Sequence, residues 1–241
     1  VSKDIDVRKP TIKLADYASA VFFVGAGRSA ESGVPTYRGR GGIWGQYDYR
    51  EYACQRAFDR DPRKVLDFHE LRRSRVLDCA PHAGHDALAR LQAAHPQLHV
   101  ITQNIDGMLQ RAGVSVAAEL HGSLWRLRCA THGAREDLAS GAFATRACPS
   151  CGRTLRPDII WFEDAVDEQV FEAAGKLIAG CELFVAVGTS AVVYPAASFI
   201  PLARRAGAFM VEINPEATEA SAQFDRCLRA PASATIAAAF L

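Results

Sequence analysis

The sequence predicts an α/β protein: a doubly wound, parallel, Rossmann-like sheet with helices on both faces and a smaller inserted domain. Three observations predict it. Short apolar, β-favouring runs recur at Val21–Val24, Leu98–Thr102, Leu183–Val187 and Phe209–Ile213. Each ends in a glycine-rich or polar signature, respectively Gly25-Ala26-Gly27, Gln103-Asn104-Ile105-Asp106, Gly188-Thr189-Ser190 and Asn214-Pro215-Glu216. The carboxyl ends of parallel strands are where such folds hold ligands. Helical patterns separate the runs, as parallel connections require.

In chain order, residues 1–13 are polar and aperiodic, a loose terminus. Leu14 to Ala20 reads as a short helix feeding the first strand. Gly25, Gly27 and Ala30 fit the G-x-G-x-x-G/A dinucleotide fingerprint. Its glycines let backbone approach a pyrophosphate, and the helix start after them offers free N–H groups. A tight structural turn accounts for the same residues. Pro35 cuts that helix short, and Tyr37-Arg38-Gly39-Arg40-Gly41-Gly42 forms a basic, mobile loop able to close over a cofactor. An ordinary dehydrogenase would instead run on to a second strand and an acidic ribose anchor.

Residues 45–60 are aromatic and charged without periodicity. Asp61 caps a helix that starts at Pro62, carries Val65, Leu66, Phe68, Leu71 and Val76, and ends near Cys79-Ala80-Pro81. His82 to Ala94 is a second helix, with Leu88 and Leu91 on one face. Val116 to Leu120 reads as a strand ending in His121-Gly122. Residues 124–160 break the α/β rhythm. A short strand near Arg226 to Arg229 precedes an alanine-rich C-terminal helix. Segments 14–45, 80–123 and 159–241 therefore compose the Rossmann-like domain. Segments 46–79 and 124–158 are its insertions, a helical module and a cysteine-bearing module.

With 241 residues the chain can bury one large core and a small one. Its 28 basic and 27 acidic residues leave a formal charge of +1, which gives a nucleic-acid partner no electrostatic support. No apolar run approaches the roughly 20 residues of a membrane span, and no secretory pattern opens the chain. Seven cysteines suit a reducing compartment and a metal site better than a disulfide framework, so a cytoplasmic location is expected.

Cys129-x2-His132, fifteen residues, then Cys148-x2-Cys151 has zinc-ribbon spacing, and four protein ligands make such a metal structural. His132 read alone is also compatible with a surface loop. Cys54, Cys79, Cys181 and Cys227 lie in or beside apolar stretches and read as packing residues. His121 ends a strand, and Asn104 and Asp106 end its neighbour. Together they offer an imidazole, an amide and a carboxylate beside the glycine turn. Asp106 equally suits the cap of a following helix.

These residues carry a family resemblance. GAGRSAESGVPTYRG, QNID at 103–106, HG at 121–122, the cysteine module, RPDIIWFED at 156–164, GTSAVVYPAA at 188–197 and INPE at 213–216 stand in sirtuin order. The match spans about residues 14–241. The chain resembles the sirtuins, NAD-dependent protein-lysine deacylases, and within them the bacterial and mitochondrial class that removes acidic acyl groups.

The resemblance implies NAD as cofactor, structural zinc on Cys129, His132, Cys148 and Cys151, acylated-lysine proteins as substrates, and a monomer needing neither nucleic acid nor membrane. His121 is implied as the general base, with Asn104 and Asp106 as further catalytic residues. The glycine loop would hold NAD through Gly25, Ala26, Gly27, Glu31, Thr36, Tyr37, Arg38 and Trp44. Gln103, Asn104, Ile105 and Asp106 would line the ribose and nicotinamide pocket. Gly188, Thr189, Ser190, Asn214, Pro215, Glu216 and Ala232 would hold the adenosine half. Substrate would lie along Ile160, Trp161, Phe162, Val193 and Tyr194. Nicotinamide release followed by acyl transfer to ADP-ribose is the implied reaction. ADP-ribosyl transfer to a protein and a non-catalytic NAD sensor are the competing readings.

The acyl pocket of the acid-selective class carries a Tyr-x-x-Arg pair, matched here by His69-x-x-Arg72, with Ala53 at a small-residue position. Arg72 would grip a carboxylate, unless it belongs to a solvated run, Arg72-Arg73-Ser74-Arg75. His69 brings a group titrating near pH 6.5, so acid-acyl affinity is expected to weaken as pH rises past neutrality. Three further departures stand out: His132 for a usual cysteine, Tyr37 for a usual phenylalanine, and Glu163-Asp164 for a usual Gly-Glu.

Overall fold

The computed structural model describes residues 12–37, 41–138 and 141–241. The first strand, β1 (Ala20–Val24), is wholly buried because its five residues are apolar on both faces, the mark of a central parallel strand. Helix α1 (Ala26–Ala30) follows at once. Three helices come next: α2 (Tyr49–Tyr52), α3 (Gln55–Arg60) and α4 (Pro62–Leu77). Helix α4 starts as its sequence dictates, with Pro62 in the first turn and the Asp61 carboxylate accepting from the Lys64 N–H at 3.0 Å. Helix α5 (Ala83–Ala94) leads to β2 (Leu98–Thr102), and α6 (Met108–Arg111) to β3 (Ala118–Glu119).

A separate antiparallel unit then forms from β4 (Gly122–Cys129), β5 (Gly133–Glu136) and β6 (Arg156–Ile159), in the order β5-β4-β6. The chain returns through α7 (Glu168–Ala179), β7 (Leu183–Val187), α8 (Phe199–Arg205), β8 (Phe209–Ile213), β9 (Arg226–Leu228) and α9 (Ala232–Phe240). The parallel sheet runs β3-β2-β1-β7-β8-β9. Strand order reverses at β1, whose neighbours are β2 and β7, so the crevice beyond the ends of these strands is the topological switch point. One face of the sheet packs on α5 and α9 through Phe22, Leu88 and Ile236; the other packs on α7 and α8 through Phe23, Ile178 and Phe199.

Several boundaries differ from the sequence reading. Leu14 to Ala20 is not a helix. Only Leu14–Asp16 makes a 3₁₀ turn, because Ala18 and Ser19 are drawn to Glu182 and Ala20 joins the sheet. The strand expected over 116–120 contracts to Ala118–Glu119. The Gln92 side chain bonds both the N–H and the C=O of Ser115, which holds the preceding chain as a loop. Leu71, expected to be apolar packing, faces solvent.

The two inserted segments share one core. Leu66 and Val76 of α4 pack in the same cluster as Leu124, Leu127, Leu155 and Trp161. Arg73, read as part of a solvated basic run, is fully buried. Its guanidinium donates to the Asp137 carboxylate at 2.8 Å and lies between the Trp125 and Phe143 rings, 4.8 and 4.6 Å from their centroids. It joins α4 to the antiparallel unit. Removing one partner of such a pair strands a buried charge. The Arg73→Met variant is therefore expected to lose about 3–5 kcal/mol of unfolding free energy in urea titration. A loss below about 1 kcal/mol, the scale of an exposed pair, would show that Arg73 is not what joins these elements.

Candidate active site

A cavity of about 770 Å³ opens at the carboxyl ends of β1, β2, β7 and β8 and extends under α4 and the chain after β6. Its floor is a set of backbone contacts. Gly25 N–H donates to the Val187 carbonyl at 2.9 Å and Gly27 N–H to the Gly188 carbonyl at 2.8 Å. A Cβ on Gly25 would sit 2.7 Å from the Gly188 oxygen, and one on Gly27 2.8 Å from it. The fingerprint glycines are thus required by the approach of two loops to one another, besides any approach to a pyrophosphate.

The polar strand ends are tied to this floor. Asn104 Nδ2 donates to the Gly25 carbonyl (3.1 Å) and to Ser29 Oγ (3.2 Å), while its Oδ1 is buried without a partner. Gln103 donates to Thr189 Oγ1 at 3.1 Å, and Asn214 Nδ2 to the Thr189 carbonyl at 3.1 Å. His121 is half-buried, with Nδ1 2.8 Å from the Gln103 carbonyl. A carbonyl only accepts, so Nδ1 carries the proton and Nε2 keeps a free lone pair. Burial pushes the imidazole pKa down, and the Gln103 carbonyl opposes this only in part. Asp106 is buried behind the wall. Its Oδ1 accepts from Met108 N–H at 2.9 Å, so it does stabilise the first turn of α6 as a cap would. Burial raises its pKa against the pull of that N–H, Ser29, Arg72 and Arg28.

Most residues singled out from the sequence meet at this cavity. Gly25, Ala26, Gly27, Thr36, Tyr37 and Trp44 line it, as do Gln103, Asn104, Ile105 and His121. Gly188, Thr189, Ser190, Asn214 and Glu216 line its sheet side. Ala53, His69 and Arg72, with Ile160, Trp161, Phe162, Val193 and Tyr194, line the remainder. Arg38 lies outside the described residues. Besides Asp106, three expected contacts fall elsewhere. Glu31 turns its carboxylate to the start of α9, accepting from Ala232 N–H at 2.6 Å and from Ser233; it caps a helix, and Ala232 is buried in that contact. Pro215 does not line the cavity among the described residues. Ser29 was not foreseen; it is buried and accepts from Asn104, and a small hydroxyl just inside the fingerprint turn was its only signal.

His69 also departs from expectation. It is buried, its Nε2 accepts from Trp161 Nε1–H at 3.3 Å, and its ring stacks on that indole. Burial and the nearby Arg72 charge push its pKa down to about 3. It is neutral at any working pH and cannot impose the pH dependence read from its residue type. Arg72 is buried and lines the cavity, so it is not part of a solvated run. Glu163 keeps φ at +74°, the left-handed conformation a glycine would take, and its carboxylate holds Arg56.

The cysteine module converges. Cys129, His132, Cys148 and Cys151 place one donor atom each within 4.8 Å of the others. Cys129 Sγ and Cys148 Sγ are both 3.5 Å from His132 Nδ1, and Cys129 Sγ is 3.6 Å from Cys151 Sγ. Tetrahedral zinc with bonds of about 2.0–2.3 Å requires ligand separations of this size. The Thr131 N–H and then the His132 ring pull the Cys129 thiol down to about 6, toward the thiolate a metal needs. The set fits a structural zinc ion, which three thiolates and one imidazole would hold. The other four cysteines are free thiols, Cys54 and Cys181 buried and Cys79 and Cys227 half-buried.

The family model described as "Sir2 family" matches residues 25–195. The chain is 44% identical over 204 residues to NAD-dependent protein deacylase 2 of Pyrobaculum aerophilum, covering 84% of this chain and 82% of that protein. It is 38% identical over 229 residues to NAD-dependent protein deacylase 1 of Pseudomonas aeruginosa, covering 91% and 92%. A crystal structure of a Sir2 homologue with NAD superposes with a TM-score of 0.85 at 35% identity, covering 92% of this chain and 88% of that one. A Sir2 variant with a deacetylated peptide and an acetylated ADP-ribose superposes at 0.80 with 25% identity, covering 94% and 97%.

If His132 is the fourth ligand, the purified protein carries one zinc ion per chain. His132→Ala then weakens zinc retention by more than about tenfold in chelator competition, read by elemental analysis. Equal retention by both proteins would remove His132 from the ligand set.

Proposed function

The chain belongs to the Sir2 family, and on that premise we propose how its residues carry out NAD-dependent removal of acyl groups from protein lysines. The observation that carries the assignment is His121. Its Nδ1 is committed to the Gln103 carbonyl, its Nε2 is free, and it lines the cavity that Asn104 and the glycine turn also line.

When bound, NAD supplies a bond to nicotinamide that can be broken and an ADP-ribose that accepts the acyl group. Gly25, Ala26 and Gly27, with Thr36, Tyr37 and Trp44, would hold it on the β1 side, and the family resemblance assigns Arg38 to the phosphates. Thr189, Ser190, Asn214 and Glu216 hold the adenosine half. Asn104 has both amide hydrogens directed at protein groups, so its unpartnered Oδ1 would be the atom to accept from a ribose hydroxyl. His121 Nε2, with its free lone pair, would serve as the base that accepts the proton of a ribose hydroxyl. Its lowered pKa keeps it neutral near pH 7, the form a base requires. Asp106 stabilises the wall behind the nicotinamide position.

The peptide lies between the chain of Ile159 to Glu163 and that of Val192 to Tyr194, adding a strand between them. Ile160 N–H is anchored on the His121 carbonyl at 3.0 Å and Phe162 N–H on that of Ala53 at 3.1 Å, so the rims are fixed relative to base and acyl pocket. The acyl chain runs toward Ala53 and Arg72. Ala53 leaves room, and the buried Arg72 guanidinium selects a terminal carboxylate, so succinyl and malonyl groups are removed along with acetyl. The protein acts as a monomer in the cytoplasm. Its free thiols support that location, and no helix of the described residues is long and apolar enough to cross a membrane.

Incubating succinyl-lysine peptide with NAD is expected to yield free-lysine peptide, nicotinamide and O-succinyl-ADP-ribose by mass spectrometry. A peptide gaining ADP-ribose would mean transfer to protein instead. His121→Phe lowers kcat by on the order of 10²–10⁴ with zinc content unchanged. In the pH profile of kcat/KM, activity falls as His121 becomes protonated, and this acid limb lies below the ordinary imidazole value of about 6.5. The KM ratio of succinyl to acetyl peptide stays flat between pH 6 and 8.5, because His69 is neutral throughout. A ratio that rises across that window would restore a titrating His69.

A further inference from the structure

Two neighbouring groups of this cavity face each other and no carboxylate of the described residues. The first is Arg72. The other buried arginines of the described residues are engaged: Arg73 with Asp137, Arg156 with Asp164, and Arg28 with the Gly84 carbonyl. Arg72 is 5% exposed, lines the cavity and lies over the Tyr37 ring, and among the described residues no carboxylate stands within ion-pair distance of it. Asp106 acts on it through space but has its Oδ1 engaged by Met108 N–H.

The second is Tyr37. Its hydroxyl is buried, the Arg72 guanidinium is the side chain that approaches it, and its own hydrogen finds no acceptor of good geometry. The Arg72 guanidinium carbon lies 5.1 Å from the centre of its ring, so the two groups border the same space. A buried hydroxyl hydrogen without an acceptor pays its desolvation with no return, which a ligand accepting from it reverses.

His69, one helical turn before Arg72, does not fill this role. Its Nε2 is occupied by Trp161 and its ring is stacked on that indole, while its buried Nδ1 lies on the Tyr52 backbone side without a hydrogen bond of good geometry. It belongs to the wall.

We propose that the Tyr37 hydroxyl is the second donor, beside Arg72, for a carboxylate on the acyl chain of the substrate, and that this loop residue therefore sets acyl selectivity. The inference rests on the acid-acyl reading given above. Charge decides between ligands. Nicotinamide is neutral and leaves the Arg72 cation unanswered, whereas a carboxylate answers it and has lone pairs left for a phenol. The two donors come from separate elements, Arg72 from α4 and Tyr37 from the segment after α1 that also carries Thr36. An acidic acyl group bridging them would tie the cofactor loop to the helical module.

The test is binding of fluorescent succinyl-lysine and acetyl-lysine peptides to the 241-residue chain without NAD, where no turnover intrudes. Tyr37→Phe removes one oxygen and keeps the ring on which Arg72 lies, so the fold is retained. It is expected to cut the succinyl-over-acetyl preference about tenfold, and Arg72→Met by more. If Arg72→Met lowers the preference and Tyr37→Phe leaves it unchanged, Tyr37 is not a donor and the inference is overturned while the acid-acyl reading stands. If the parent protein shows no succinyl preference, that reading falls and takes the inference with it.

Discussion

The structure depends on how closely two loops approach at the ends of adjacent central strands. The turn after β1 and the turn after β7 touch backbone to backbone. Gly188 has φ at +59°, and a Cβ there would stand 2.3 Å from the Arg28 nitrogen. With Gly25 and Gly27 opposite, three glycines form a clasp that no side chain can enter. The parallel register places the clasp where strand order reverses, and so fixes where a dinucleotide can lie.

From that contact the chemistry follows in steps. The clasp presents the Gly25 carbonyl to Asn104, which spends both amide hydrogens on protein and leaves its oxygen for a ligand. The neighbouring Gln103 carbonyl fixes the proton of His121 on Nδ1, which turns the other nitrogen into an acceptor. His121 in turn carries the backbone that anchors Ile160. Base, ribose acceptor and substrate rim are thus parts of one hydrogen-bonded assembly rather than independent loops. The inserted modules complete it from above. Their shared core, with Arg73 between two rings, holds Arg72 and His69 on α4 at a fixed height over the sheet.

Much of this is legible in the sequence because it is carried by local rules. The central strands are short apolar runs between helices, and β1, β2, β7 and β8 need no tertiary information to be found. The Asp61-Pro62 helix start is likewise local, and so is the spacing of Cys129, His132, Cys148 and Cys151. What could not be read depends on contacts between distant segments. Arg72 and Arg73 look like one solvated basic run, but each faces a different buried partner, a cavity and Asp137. His69 looks like a group titrating near neutrality; only its stacking on Trp161, 92 residues away, makes it a neutral part of the wall. Glu31 sits inside a cofactor motif, yet its carboxylate is drawn 201 residues along the chain to the start of α9. Residue type and spacing report what a side chain can do, and the fold decides which of its options remains open.

The most direct test of the clasp is the affinity of Gly27→Ala for NAD by titration calorimetry, with circular dichroism and zinc content as controls for the fold. If the loops must touch, one methyl group parts them. The account then predicts NAD binding weaker by on the order of 100-fold in a protein that still folds and retains zinc. Parental affinity in that variant would mean that the cofactor cradle does not depend on this contact, and would contradict the account.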